Sequence, residues 1–329
     1  MKQEAAAVKV EEAPVEADVE STVKVVANPD DSFSDMRTEL ERLADMNLKS
    51  HVFCGVVGHE NTGKTGIVMD ALMKNEEAVA NGDMLWVYDF DGGGAASRGA
   101  HYGNTPNIRV FDPWVMGKED RTAYDYPATH NRLMRLGQFA VHQAQLQNEK
   151  NYEGSKLWGI LVTAVDLWDS VCMNNMRIHD LGLASDAIEA ADIRGAGTAE
   201  RVQQQWDWAI RTNRFHQLTA ICRRLVQNGV RVFWETHIKA EVFRDQETGG
   251  WKPSWEKHAT NYLHQIIWCR RQKTREADGE DTGEEQYNVE FHKCKTNPDL
   301  QGQTRTIMVT RRDEPAQWYG LPELRDDVL

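Results

Sequence analysis

The apolar positions fall into short unbroken runs, separated by longer stretches in which they recur every three or four residues. The first run, "HVFCGVV" at 51–57, has the length and β-branched content of a buried strand. Further runs predict strands at "MLWVYDF" (84–90), "NIRVF" (107–111), "LWGILVTAVD" (157–166), "VRVFWET" (230–236) and "LHQIIWCR" (263–270). Between them, "KTGIVMDALMKN" brings Ile67, Val68, Ala71 and Leu72 to one helical face. Helical patterning also covers 130–149 and 201–228, the latter with a stripe of Trp208, Phe215, Leu218, Cys222 and Leu225. Buried strands alternating with helices predict an α/β fold, a mostly parallel central sheet with helices on both faces. "QYNVEFHKCK" and "QTRTIMVTR" flank "TNPDLQGQ" and predict an antiparallel hairpin at the sheet edge. The stretch 171–200 has no clear periodicity and reads as a long loop, of the kind that is functional or disordered.

Composition sets the outer bounds. Of 329 residues, 40% are hydrophobic and 27% charged, as in a globular protein with a sizeable core. Residues 1–33 are rich in Ala, Val and Glu and read as a disordered acidic tail. Order is expected from Ser34, a candidate N-cap followed by helically spaced Leu40 and Leu43. The ordered domain is expected to span 34–312, with a C-terminal tail at 313–329. No run approaches the roughly 18 apolar residues of a membrane span, and the acidic N-terminus has no apolar signal region. The five cysteines (54, 172, 222, 269, 294) are scattered and lack CxxC spacing. That argues against a disulfide framework or a zinc site and fits a reducing cytoplasm. Cys54, in an apolar run, reads as core. The net charge is −13, and nine acids against three lysines place −6 of it in residues 1–35. Bulk nucleic-acid binding is therefore not expected, although a local basic patch remains open.

The segment after the first strand changes the picture. Gly58, His59, Glu60, Asn61, Thr62, Gly63, Lys64 and Thr65 match G-x-x-x-x-G-K-[ST], a pattern with about 0.01 chance matches in a chain of this length. It lies between a strand and a helix, the context that separates a phosphate-binding loop from a polar turn. Glycines let the backbone curl so that its N–H groups point at phosphate oxygens, and the helix adds its positive end. Lys64 is expected to reach the β/γ-phosphates of ATP, and Thr65 to offer its hydroxyl to Mg²⁺.

Such a loop needs acids on neighbouring strands. Asp166, read as ending "GILVTAVD", is the candidate to hold the Mg²⁺ water shell, with Asp169 a weaker one. Leu167 follows Asp166, so a catalytic base is sought elsewhere. "VYDFDGGG" supplies Asp91, with Asp89 on the same side by alternation and able to share the role of polarising the attacking water. "VFWETHIK" ends a strand with Thr236 and His237, placed to sense the γ-phosphate.

The order "GHENTGKT", "VYDFD", "ILVTAVD", "VFWETHIK" resembles the RecA-like P-loop ATPases. Among them it is most similar to the phage-encoded single-strand annealing ATPases, or AAA-domain proteins, over roughly residues 50–312. The resemblance implies a RecA-like fold and Mg²⁺-dependent ATP hydrolysis. It also implies a homo-oligomeric ring or filament with ATP between subunits, acting on single-stranded DNA in recombination or replication. It puts Asp91 at the catalytic acid position and His237 at the sensor position. Lys293 and Lys295 fall where relatives carry basic residues that reach a neighbouring subunit's ATP. The chain departs from the pattern in three ways: Asp91 is one methylene shorter than the family's glutamate, Glu235 replaces a small residue before Thr-His, and 171–200 has no counterpart in shorter relatives.

Relatives bind single strands through loops after these strands. Here Lys239, Arg244, Trp251, Lys252, Trp255 and Lys257 mix basic and aromatic side chains, the combination that tracks phosphates and stacks bases. The competing reading is a solvated β-hairpin turning at Gly249-Gly250. Two other functions fit the motifs. In a P-loop kinase of a nucleotide or small molecule, Asp91 would activate a hydroxyl and "RRQKTR" would form an arginine lid. In a nucleotide-gated structural or packaging component, ATP would be bound but hardly hydrolysed.

Overall fold

The computed structural model describes residues 52–118, 123–179, 205–243, 246–275, 281–326 and 329. They belong to one compact unit, Leu48–Leu329. The expected acidic tail, the helix at Ser34 and residues 180–200 of the expected loop lie outside the described residues.

Six parallel strands form the larger part of a nine-stranded sheet. They are β1 (Phe53–Gly58), β2 (Met84–Tyr88), β3 (Ile108–Phe111), β4 (Leu157–Val162), β5 (Arg231–Thr236) and β8 (Gln265–Arg275). Strands β9 (Asp281–Cys294), β10 (Thr304–Arg311) and β11 (Gln317–Trp318) continue it antiparallel, in the order β11-β10-β9-β8-β1-β5-β4-β2-β3. The β9–β10 pair is the expected edge hairpin. The remaining two strands, β6 (Ile238–Phe243) and β7 (Gln246–Pro253), form a separate antiparallel ribbon.

Alternation along β1 feeds two cores. Phe53 and Val57 face a cluster with α4 (Tyr126–Leu146), α5 (Val165–His179) and α6 (Gln205–Gln227), where Leu133, Trp168, Phe215, Leu218, Cys222 and Leu225 are buried. Val52, Cys54 and Val56 face α1 (Lys64–Met73) and α2 (Glu76–Ala80), against Ile67, Val68, Leu72 and Ala78. This period-two split is what helices on both faces of a parallel sheet require. Helix α3 (Gly93–His101) follows β2, and the short α7 (Ala259–Tyr262) precedes β8.

Three boundaries differ from the sequence reading. Strand β4 ends at Val162, and Asp166 lies in the first turn of α5, not at a strand end. Residues 171–179, expected to open a loop, continue α5. The segment expected as a tail after 312 contributes β11 and α8 (Pro322–Arg325), with Leu321, Leu324 and Leu329 in the core. Among the described residues no helix is long and apolar enough to cross a membrane.

Candidate functional site

The carboxyl ends of β1, β5, β4 and β2 lie side by side, where open α/β sheets carry their ligands. At β1 the chain leaves the sheet at Gly58, where an added Cβ would stand 2.4 Å from the Cys269 carbonyl oxygen of β8. The neighbour is backbone and cannot yield, so this position accepts only glycine. His59, Glu60 and Asn61 are exposed, and Thr62 Oγ1 closes the curl by donating to the His59 carbonyl at 2.8 Å. Gly63 takes φ +83° and serves as N-cap of α1. No side chain caps that helix, whereas Asn75 caps α2 and Asp125 caps α4. The first-turn amides of α1 thus keep the donors that an anion needs.

Lys64 is buried, and its Nζ donates to the carbonyls of His59 (2.7 Å) and Gly58 (3.2 Å). Thr65 Oγ1 donates to Glu235 Oε2 at 2.8 Å, and Glu235 Oε1 lies 3.9 Å from Lys64 Nζ. The motif residues and the end of β5 therefore meet. Glu235 is a site residue that sequence reasoning noted only as a departure. Alternation along β5 explains its place: Phe233 and Glu235 point to the face of α1, Trp234 and Thr236 to that of α5. Burial pushes the Glu235 carboxyl up to about 7, against the pull of Lys64 and the Thr65 bond; Asp91 pushes it further up. Asp91 is thus within electrostatic reach of the loop.

On the opposite face, Asp166 accepts from Thr236 Oγ1 at 3.2 Å and lies 3.6 Å from His237 Nδ1. Burial alone would raise the Asp166 carboxyl, but bonds from His237, the backbone and Thr236 outweigh it and hold it below its usual range. The same Asp166 bond raises the His237 imidazole. Asp166 is therefore turned to the His237 side of β5, and the carboxylate bonded to Thr65 is Glu235. Asp166, expected to hold the Mg²⁺ water shell, is thus bonded to Thr236 and His237, while Thr65 bonds Glu235. Asp169 is buried and paired with Arg211, burial raising its carboxyl despite the guanidinium.

The two acids after β2 differ in role. Asp89 is buried and accepts from the amides of Gly94 (3.0 Å) and Ala95 (2.8 Å), binding the first turn of α3. Its shared base role is corrected to that of a helix anchor. Asp91 is exposed and accepts from Gly93 N at 3.1 Å and from Thr163 Oγ1 at 2.9 Å. Thr163 also accepts from Phe90 N at 3.0 Å and lies 3.1 Å from Asp89 Oδ1. This hydroxyl ties the end of β4 to both acids.

The segment expected to contact DNA divides in two. Trp251 is 53% exposed, and its ring stands edge-on to His59 of the loop at 5.1 Å. Trp255 is 4% exposed, with Nε1 donating to Thr260 Oγ1 at 3.2 Å. An added Cβ on Gly55 would lie 2.4 Å from its ring. Trp255 is therefore a core residue, which corrects its assignment as a stacking platform. Lys239, Lys252 and Lys257 border, with Trp255, a cavity of about 760 Å³ that Asp169, Arg211 and Glu256 also line. Gly249-Gly250 lies within β7, not at the hairpin turn, because Phe243 pairs with Gln246. Arg244 lies outside the described residues.

Lys293 and Lys295 lie at the end of β9, two strands from the loop strand β1. Lys293 pairs with Ile266, itself level with Gly55 of β1, and Lys295 N donates to His264 O. Lys293 Nζ donates to Thr260 O at 2.6 Å in its own chain, whereas Lys295 is exposed. "RRQKTR" is part of β8, with Arg270 and Arg271 paired to Glu290 and Glu285 of β9. That corrects its reading as an arginine lid. No model of a known protein family matches the chain, and a search of curated proteins finds no match either.

Proposed function

We propose that this chain is a RecA-like P-loop ATPase that acts on single-stranded DNA and assembles with ATP between subunits. The observation that carries the reading is the meeting of Gly58–Thr65 with the end of β5. An uncapped helix N-terminus, a buried lysine inside the curl and a threonine hydroxyl converge there. The sheet order places β5 beside the loop strand β1 and before β4, so the loop and the end of β5 lie next to each other.

In this reading the amides of Gly63 to Thr65 and the Lys64 ammonium bind the β- and γ-phosphates. Lys64 would exchange its bonds to Gly58 and His59 for phosphate oxygens. Mg²⁺, when bound at Thr65, would neutralise charge developing on the transferred phosphoryl group. Asp91, positioned by Thr163 and Gly93, orients the attacking water. His237, held by Asp166, stands at the root of the β6–β7 ribbon, where Ser254 N donates to the His237 carbonyl at 2.9 Å. A change at the phosphates thus has a short covalent route to the ribbon. Exposed Trp251 and the lysines of the ribbon supply a stacking face and cations for a single strand.

The test measures phosphate release with and without single-stranded DNA, together with the mass of the assembly with and without ATP. DNA-stimulated release and an ATP-dependent increase in mass are expected. Phosphorylation of an added nucleoside without DNA stimulation would replace this reading by that of a kinase.

A further inference from the structure

A divalent cation bound beside a P-loop hydroxyl takes hard oxygen ligands and keeps several waters, which an anionic side chain must hold. Besides Asp89, which is held by the first turn of α3, three carboxylates stand near the ends of β2, β4 and β5. Asp91 bonds Thr163 and Gly93 N, and Asp166 bonds Thr236 on the other face of β5. Glu235 alone of the three bonds Thr65, at 2.8 Å, from a position 5% exposed. The residue that follows the last position of β4 is Thr163, whose hydroxyl is already engaged with Phe90 N and the two aspartates.

We propose that Glu235, carried by β5, is the carboxylate that holds the water shell of a Mg²⁺ ion bound with nucleotide at Thr65, a role that no acid at the end of β4 fills. The inference rests on the phosphate-binding reading above. Its physical basis is a balance of charge. A buried carboxylate needs a paired cation, and here Lys64 stands 3.9 Å away. Phosphates that draw Lys64 forward remove that partner, and a divalent ion beside Thr65 replaces it. The same balance makes Glu235 discriminate against nucleotide arriving without metal. Lys64 would then leave a buried carboxylate facing the phosphate charge.

The experiment is calorimetric titration of ATP into the full chain, once with Mg²⁺ and once with EDTA. Mn²⁺ binding to the protein–ADP complex, read by electron paramagnetic resonance, is the second measurement. Wild type should bind ATP more tightly with Mg²⁺. Glu235→Gln should lose about 10- to 100-fold of that gain, the usual cost of removing a residue that supports a metal's ligands, while its binding in EDTA is retained or tighter. Glu235→Asp, which keeps the charge, should retain part of the gain and the Mn²⁺ signal, and it carries the test if the glutamine variant fails to fold. A full Mg²⁺ gain and an unchanged Mn²⁺ signal in Glu235→Gln overturn the inference. So does loss of the gain in Asp166→Asn with Glu235→Gln intact. Wild type binding ATP no better than Lys64→Ala overturns the phosphate-binding reading itself, and this inference with it.

Discussion

Trp255→Ala and Trp251→Ala separate the two tryptophans of the ribbon segment, which the sequence presents alike. Trp255 is 4% exposed, packs over Gly55 of β1 and donates Nε1–H to Thr260. Truncating a buried tryptophan costs about 3–5 kcal/mol, including the cavity left behind. The compact unit, Leu48–Leu329, has 282 residues (329 − 48 + 1). At about 2.1 cal/mol/K of unfolding entropy per residue, it gains about 0.6 kcal/mol/K on melting. The expected fall in Tm is then about 5–8 °C. Trp251 is 53% exposed and touches His59 by one ring edge, so its truncation should move Tm by no more than about 1 °C. The assay is calorimetric melting of the two variants beside wild type at one pH and protein concentration. Equal shifts in both variants, or a Trp255→Ala shift below about 2 °C, would refute the placement of Trp255 in the core.

Asp91→Asn should spare ATP binding and lower turnover about 10²-fold or more, as loss of a positioned base does; parent-level phosphate release would remove Asp91 from the chemistry. Single-strand affinity, measured by fluorescence anisotropy, should weaken with salt as counterions are released, and Trp251→Ala should cost about 1–3 kcal/mol if its ring stacks on a base. Unchanged affinity in that variant would leave Trp251 as a cover for His59. His130 is buried and stacked on Trp168, and burial, aided by Arg214, lowers its imidazole to about 4. The unfolded chain takes up that proton first, so stability present above about pH 6.5 is lost as pH falls toward about 4, by at most about 3 kcal/mol. Melts at pH 7 and pH 5 should show a smaller loss in His130→Gln than in wild type, and equal losses would exclude His130 as the titrating group.

The parts of the site carried by local patterns were legible in the sequence. The loop at Gly58–Thr65 is a contiguous motif, and the strand before it and helix after it have clear periodicities. The parts set by where a strand stops were not. "LVTAVD" remains apolar past Val162, yet Ala164 takes φ +43° and the chain turns into α5, which moves Asp166 from strand end to helix. Glu235 could have been found by carrying the in–out alternation of "VFWET" to its end, because that places it on the face of α1. Trp255 could not be separated from Trp251, since an aromatic among lysines reads the same whether it meets a base or Gly55. The last strand, Gln317–Trp318, is too short to show a period. Its place depends on pairing with Met308 and Val309, and on Trp318 lying against the loop glycines.

The central claim, that Gly58–Thr65 binds the phosphates of a nucleotide, is tested most directly by titrating ATP with Mg²⁺ into wild type and Lys64→Ala in a calorimeter. Lys64 would make charge-assisted bonds to phosphate, each worth about 1.5–3 kcal/mol. The variant should therefore bind at least about 10- to 100-fold more weakly, and without nucleotide it should melt below wild type, because Glu235 loses its paired cation. Equal ATP affinity in the two proteins, or no binding by wild type, would contradict the account.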